Sequence, residues 1–242
     1  RLLKWSLGYG INVLWFLLYG CPGEDENDYN DIIKLIPLIS HLLPPKSVEM
    51  IGMHRFSPLF EERKSLKLKN VNPDKVYKYI YNLPDDKLEK LAYYFDYENE
   101  PFPYIEPLEK AVNSWSDQVG KSIFFFIEVE NILYFYDSRP IAKEIYPVLS
   151  GIEKDIYLAC DSGCFLKDIA AKVSLHEIDV KVVIENLCKK NLIIYIDGRY
   201  LNLAIEFYKP IFTITDINPA LNLYAEIYKT WILAMNNTKK SF

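Results

Sequence analysis

The sequence predicts a mixed α/β chain ending in a winged helix-turn-helix domain, and three observations carry that prediction. An apolar run, Val13 to Tyr19, leads into Gly20-Cys21-Pro22-Gly23-Glu24 and then into a helix-like segment. Strands buried on both faces read as such runs, and the carboxyl ends of parallel strands are where α/β folds bind ligands. Strand-like and helix-like segments alternate from Arg1 to about Tyr97, the pattern of a parallel sheet with crossovers. From Ser150 to Ile205, three short amphipathic segments precede two apolar runs separated by Asp197-Gly198, the two-residue hairpin signal.

The elements follow in order. A strand is expected over Ile11 to Tyr19, then a helix over about Asp28 to Leu43 with Ile32, Ile33, Leu35, Ile36 and Ile39 on its apolar stripe and Pro37 kinking it. A second strand spans Val48 to Phe56. Only two strands result, and two parallel strands cannot cover their own faces, so this part needs an upstream barrel or a partner at its open edge. Asn72-Pro73-Asp74 and Pro84-Asp85-Asp86 each start a further helix. Glu98 to Pro103 reads as a linker. Ile105, Leu108, Val112, Trp115 and Val119 recur at steps of three and four, a helix that Gly120 ends.

Ser122 to Val129 and Ile132 to Tyr136 flank Glu130-Asn131 as a hairpin, which Asp137-Ser138-Arg139-Pro140 closes. Ser150-Gly151-Ile152-Glu153 and Ser174-Leu175-His176-Glu177 are both capping boxes in spacing. Pro219 to Met235 reads as a last amphipathic helix.

Composition narrows the function classes. The 242 residues, 50% hydrophobic and 25% charged, suffice for one large or two small domains. The chain begins at Arg1 inside a helix-like segment, which suggests the C-terminal part of something longer. No apolar stretch reaches the length of a membrane span, so a soluble chain with no membrane partner is expected. The net charge of -5 argues against nucleic acid. So does the winged-helix segment, where seven Lys or Arg face eight Asp or Glu between Gly151 and Ile205. The cysteines lack the spacing of a secreted disulfide framework, which favours the cytoplasm.

An Arg and a His within the apolar segment Met53-His54-Arg55-Phe56-Ser57-Pro58 make Arg55 a site candidate, because a buried cation needs a partner or an anionic ligand. Trp15 to Glu24, His41-Leu42-Leu43-Pro44-Pro45, Arg55 to Pro58, Ala92-Tyr93-Tyr94-Phe95 and Asp137-Ser138-Arg139 together resemble a family: the cobalamin-dependent radical SAM maturases of ribosomally synthesised peptides. That family carries W-N-L-L-Y-G-F-P-G-E, H-L-x-P-P, R-F-S-P, A-Y-x-F and D-T/S-R in the same order. The resemblance covers about the first 140 residues. Phe16 and Cys21 depart from it, standing where the family has Asn and Phe.

The resemblance implies a C-terminal fragment of a radical SAM partial (β/α) barrel over residues 1–100, a linking helix and hairpin over 101–148, the winged helix over 149–206, and a terminal helix and tail over 207–242. It implies that Tyr19, Gly20, Gly23 and Glu24 line the S-adenosylmethionine side, with Arg55 and Ser57 at the end of the next strand facing the same cavity. It implies a 4Fe-4S cluster and cobalamin in the parent enzyme, C-methylation of a precursor peptide, and no cofactor held stably by this chain alone. The C-x3-C-x2-C cluster loop is absent, and Cys160-Asp161-Ser162-Gly163-Cys164 matches only its first half, reading rather as buried or loop thiols. No metal site is expected from His41, His54 and His176. The alternatives are a non-catalytic winged-helix protein that binds a peptide or partner, with its open strands as a dimer surface, and, resting on the winged helix alone, a DNA-binding regulator.

Overall fold

The structure, a computed structural model, describes residues 1–99 and 102–206. In chain order its elements are α1 (Leu2–Gly8), β1 (Leu17–Tyr19), α2 (Glu26–Ile39), β2 (Val48–Met50), β3 (Met53–His54), α3 (Pro58–Glu61), β4 (Asn72–Pro73), α4 (Val76–Ile80), α5 (Asp85–Leu91), β5 (Tyr94–Asp96) and α6 (Ile105–Asp117). There follow β6 (Phe124–Val129), β7 (Ile132–Asp137), β8 (Val148–Ser150), α7 (Gly151–Ala159), α8 (Leu166–Val173), α9 (Glu177–Lys189), β9 (Ile193–Ile196), β10 (Arg199–Asn202) and β11 (Ile205–Glu206). The chain is thus mixed α/β, and among the described residues none of its small sheets closes into a barrel. No helix among them is long and apolar enough to cross a membrane. The terminal helix expected over 219–235 and part of the linker before Pro103 lie outside the described residues.

The chain forms two compact units. The smaller comprises residues 15–30 and 45–109; the larger takes in residues 1–14, 31–44 and, of the described residues, 110–206. In the smaller unit β1 and β2 pair in parallel, Leu17 with Val48 and Tyr19 with Met50. The expected nine-residue strand shrinks to three residues, and it is not buried on both faces: Phe16 and Leu18 are 45% and 48% exposed, as is Leu14 just before them at 72%. With a single neighbouring strand, alternate side chains have no layer to pack on.

The expected strand from Val48 to Phe56 divides at Gly52. Its first half pairs with β1; its second, β3, joins an antiparallel sheet of order β3-β5-β4. Gly52 permits the break because the His54 ring folds back to 2.9 Å from where a Cβ would stand. Met53, Leu59, Phe60, Ala92 and Phe95 form the small core beneath this sheet.

In the larger unit a sheet of order β11-β6-β7-β8 packs with α7, α8 and α9 around a hydrophobic core. Phe124, Leu133, Phe135, Ile156, Tyr157, Ile169, Val180 and Ile184 are wholly buried there. The β6–β7 hairpin turns through Glu130 and Asn131 at φ 52° and 66°, and the β9–β10 hairpin through Asp197 and Gly198 at φ 49° and 75°. Both match the two-residue turn geometry whose positive φ values follow the strand twist.

The capping boxes do not form. Ser150 is the last residue of β8, in register with Ile132, and the chain then turns through Gly151 at φ 53°, so its hydroxyl makes no cap bond. Ser174 instead closes α8 in the left-handed conformation, and His176 becomes the residue before α9, also without a side-chain cap. Ser150 does occupy the N-cap position of α7, but its side chain makes no cap bond; only Ser174 is displaced from the boundary that the spacing implies.

Candidate functional site

The carboxyl end of β1 turns through Gly20 and Gly23, both at positive φ, 80° and 83°. An amide hydrogen bond from Glu24 to the Cys21 carbonyl, 3.1 Å, closes the turn. The Glu24 side chain then folds back over the turn. Its Oε1 accepts from the Gly20 N–H at 2.9 Å, and its Oε2 accepts from the Cys21 N–H at 2.8 Å and from the Tyr29 hydroxyl at 2.7 Å. Two strand-end amides that no neighbouring strand takes up are thereby satisfied by one carboxylate. Burial, reinforced by Glu24, pushes the Tyr29 phenol well above its ordinary range.

Aromatic rings build the wall of this corner. Tyr29 stacks on Tyr104 with centroids 4.5 Å apart, Tyr104 meets Phe102 edge-on, and Phe102 meets Tyr19 edge-on at 5.4 Å. Gly20 is held to glycine twice over: a Cβ there would lie 3.2 Å from both Phe102 Cζ and Met50 Cγ, and its φ disfavours any side chain. At Gly23 a Cβ would meet nothing within 4 Å, so the turn is open on that side.

Two groups in this corner lack partners. The hydroxyls of Tyr97 and Tyr104 are buried and make no hydrogen bond to any described residue. Burial pushes the Tyr97 phenol up, with Cys21 and Glu24 adding to the effect. A buried hydroxyl without a partner costs about 1–3 kcal/mol, so this corner suits a ligand that accepts hydrogen bonds and stacks on an aromatic wall. Tyr29, Tyr97, Phe102 and Tyr104 were not legible as site residues, since no motif spacing links them; the only sequence signal is the aromatic content of 15%.

Of the residues expected to share a cavity, the structure brings Tyr19, Gly20, Gly23 and Glu24 into one corner. It uses Arg55 and Ser57 elsewhere. Arg55 follows β3, donates through Nε to the Ala92 carbonyl at 2.6 Å and through Nη2 to the Glu89 carbonyl, and lies over the rings of Phe60 and Phe95. It therefore satisfies carbonyls at the end of α5, a favourable position for a cation. Ser57 caps α3, accepting from the Phe60 amide at 3.2 Å ahead of Pro58.

The Asp137-Ser138-Arg139 motif forms a different kind of centre in the larger unit. Arg139 donates through Nε to Asp137 Oδ1 at 2.8 Å and through Nη2 to Oδ2 at 2.6 Å, both side chains being fully buried. The guanidinium also donates to the carbonyls of Leu38 and Asn191 and lies 3.7 Å over the Phe124 ring. With its charge and donors engaged, Arg139 pins α2, β6 and the end of α9 together. Beside it, His41 is buried with Nε2 3.0 Å from the Leu203 carbonyl; burial first, then the Arg139 charge, hold its pKa well below the ordinary value.

No cluster of three or more His, Cys, Asp or Glu among the described residues could hold a metal ion, so they do not fit an iron-sulfur cluster. All four cysteines are free thiols, and burial pushes Cys160 up to about 12 and Cys188 up to about 11, which leaves both protonated and inert. The outward face of α9 is equally telling. Ile178 and Val182 are 78% and 66% exposed, one turn apart, among Glu177, Asp179 and Glu185. No family model, curated protein or solved structure matches this chain.

Proposed function

We propose that this chain is the C-terminal portion of a cobalamin-dependent radical SAM enzyme that C-methylates a ribosomally synthesised precursor peptide. In this reading β1, α2 and β2 are late elements of a partial (β/α) barrel, and α7 to β10 are a winged helix-turn-helix that holds the peptide. The observation that carries it is the β1–β2 pair: two parallel strands joined through a helix, apolar side chains exposed on one face, and a glycine corner at their carboxyl end. Such a pair is an incomplete layer whose stable form needs neighbours.

S-adenosylmethionine fits the corner. The Tyr97 and Tyr104 hydroxyls supply donors, the Tyr19 and Phe102 rings supply a wall, and Gly20 and Gly23 let a ligand approach the backbone, while Glu24 keeps the turn in shape. Arg55 and Ser57 shape the adjoining loop. The cluster-binding and corrin-binding parts of such an enzyme are not among the described residues, and this chain alone holds no cofactor stably. Free thiols and the motif set favour a cytoplasmic enzyme.

The test is to express the chain with the coding region upstream of Arg1 and purify it anaerobically. The longer protein is expected to bind iron and corrin and to cleave S-adenosylmethionine; this chain alone is expected to bind no stoichiometric iron. A longer protein without iron, or a stoichiometric cluster on this chain, overturns the reading. The exposed Phe16 and Leu18 side chains also favour a second reading, a non-catalytic partner-binding protein that dimerises through these strands. Sedimentation of the isolated chain as a monomer argues against it.

A further inference from the structure

The two strands of the β9–β10 hairpin have different outer edges. That of β10 is closed: Tyr200 exchanges both main-chain hydrogen bonds with Cys164, at 3.0 and 2.9 Å, and the Asn202 amide donates to the Cys160 carbonyl. Tyr200 and Asn202 thus point their main-chain groups away from β9. Their register partners are Tyr195 and Ile193. In an antiparallel ladder both members of such a pair face outward, so the N–H and C=O of Tyr195 and Ile193 point away from β10. Among the described residues they meet no partner.

A groove of about 530 Å³ runs along this open edge. Ile193 to Ile196 form one wall, Leu35 and Leu38 of α2 the other, and Cys188 lies between them, while β10 contributes no lining residue. The rim carries Asp31, Lys34 and Asp197. Lys34 is held by Asp31 at 2.7 Å, and Asp197, exposed in the hairpin turn, has no ion-pair partner among the described residues.

We propose that this edge and groove receive an extended peptide as an added strand, four residues or about 13 Å long, with apolar side chains at alternate positions and a Lys or Arg over Asp197. Strand addition needs unpaired edge groups for affinity and a side-chain groove for selectivity, and both are present. The uncompensated Asp197 selects the charge of the occupant. It also disfavours a second copy pairing edge to edge, because Ile193-Ile194-Tyr195-Ile196 brings no cation. Identifying the occupant with the precursor peptide rests on the maturase reading above; the strand-binding edge does not.

The experiment is fluorescence anisotropy of the full chain with a labelled synthetic peptide of alternating Val and Thr ending in Arg, beside a twin ending in Ala. Tyr195→Pro removes an outward N–H that takes no part in the ladder, together with the ring contact to Tyr200 at 4.8 Å; measured against Tyr195→Ala, which loses the ring alone, its melting temperature should be unchanged while affinity falls about 10-fold or more. Asp197→Asn, which tolerates the left-handed turn, should weaken the Arg peptide about 3-fold and leave the Ala peptide unchanged. The proposal is overturned by the absence of saturable binding up to about 1 mM, by equal affinity of Tyr195→Ala and Tyr195→Pro, or by a concentration-dependent dimer that Tyr195→Pro abolishes. Iron, corrin and S-adenosylmethionine cleavage in the longer protein do not depend on Tyr195. Failure of strand binding with cofactors retained therefore removes this inference alone, and strand binding without cofactors removes the maturase reading alone.

Discussion

Among the described residues the larger unit pairs nearly every polar side chain it buries, whereas the smaller unit leaves two buried hydroxyls open over a thinner core. In the larger unit Arg139 is matched to Asp137, the half-buried loop at Asp161 takes the Lys4 ammonium at 2.6 Å, and Lys154 reaches Glu128 at 2.9 Å. Among its described residues the one side-chain exception is His41 Nδ1. In the smaller unit Phe16, Leu18, Phe56, Tyr79 and Ile80 are exposed, the Tyr97 and Tyr104 hydroxyls meet no partner among the described residues, and the cluster beneath the β3-β5-β4 sheet holds five buried side chains. A core that small contributes little beyond the entropy cost of ordering its chain. The contrast teaches that the larger unit matches its buried charges internally, while the smaller unit holds its fold with less burial.

The contrast is broken most severely at Arg139. Arg139→Ala strands a buried carboxylate and should destabilise the larger unit by about 3–5 kcal/mol, read as a shift in urea midpoint. In the smaller unit Gly20→Ala meets both a left-handed φ and close ring carbons; a loss of about 1–3 kcal/mol is expected, visible as faster hydrogen exchange of its amides with the larger unit unaffected.

Acid sharpens the comparison. His41 is neutral when folded and free to protonate when unfolded, so its contribution is complete above the unfolded pKa of about 6.5 and is lost as pH falls from there towards the lower folded pKa. Stability of the larger unit should drop by about 1.4 kcal/mol per pH unit in that window, and a His41→Asn variant should show a flatter profile in the same urea titrations.

The smallest effects separate used from unused hydroxyls. Tyr29→Phe deletes a hydrogen bond to Glu24 and should cost about 1 kcal/mol. Tyr104→Phe deletes an unpartnered hydroxyl and should be neutral or stabilising by up to about 1 kcal/mol; a clear loss of stability would falsify the claim that this group awaits a ligand.

Much of the local structure was legible. Asp197-Gly198 and Glu130-Asn131 turn as their flanking runs predict, Pro84-Asp85-Asp86 opens α5, and the glycines of the Gly20–Glu24 turn adopt the positive φ values that a sharp corner requires. The misses share a cause. Ser174 has the spacing of a cap but the left-handed backbone of a helix end, Ser150 stands at the N-cap without a side-chain bond, the strand after Val48 changes sheets at Gly52, and Arg55 finds carbonyls 34 to 37 residues away.

By itself, the sequence determined the hairpin turns, the glycine corner and the existence of the amphipathic helices α2, α6 and α9, because backbone preferences reside in neighbouring residues. Only the tertiary structure decided that Lys4 reaches Asp161, that Cys164 closes one edge of the hairpin while the other meets no described residue, and that two tyrosine hydroxyls find no partner among the described residues. Those outcomes depend on groups as many as 157 residues apart, and whether a polar atom is satisfied is settled by what packs against it, which no local pattern records.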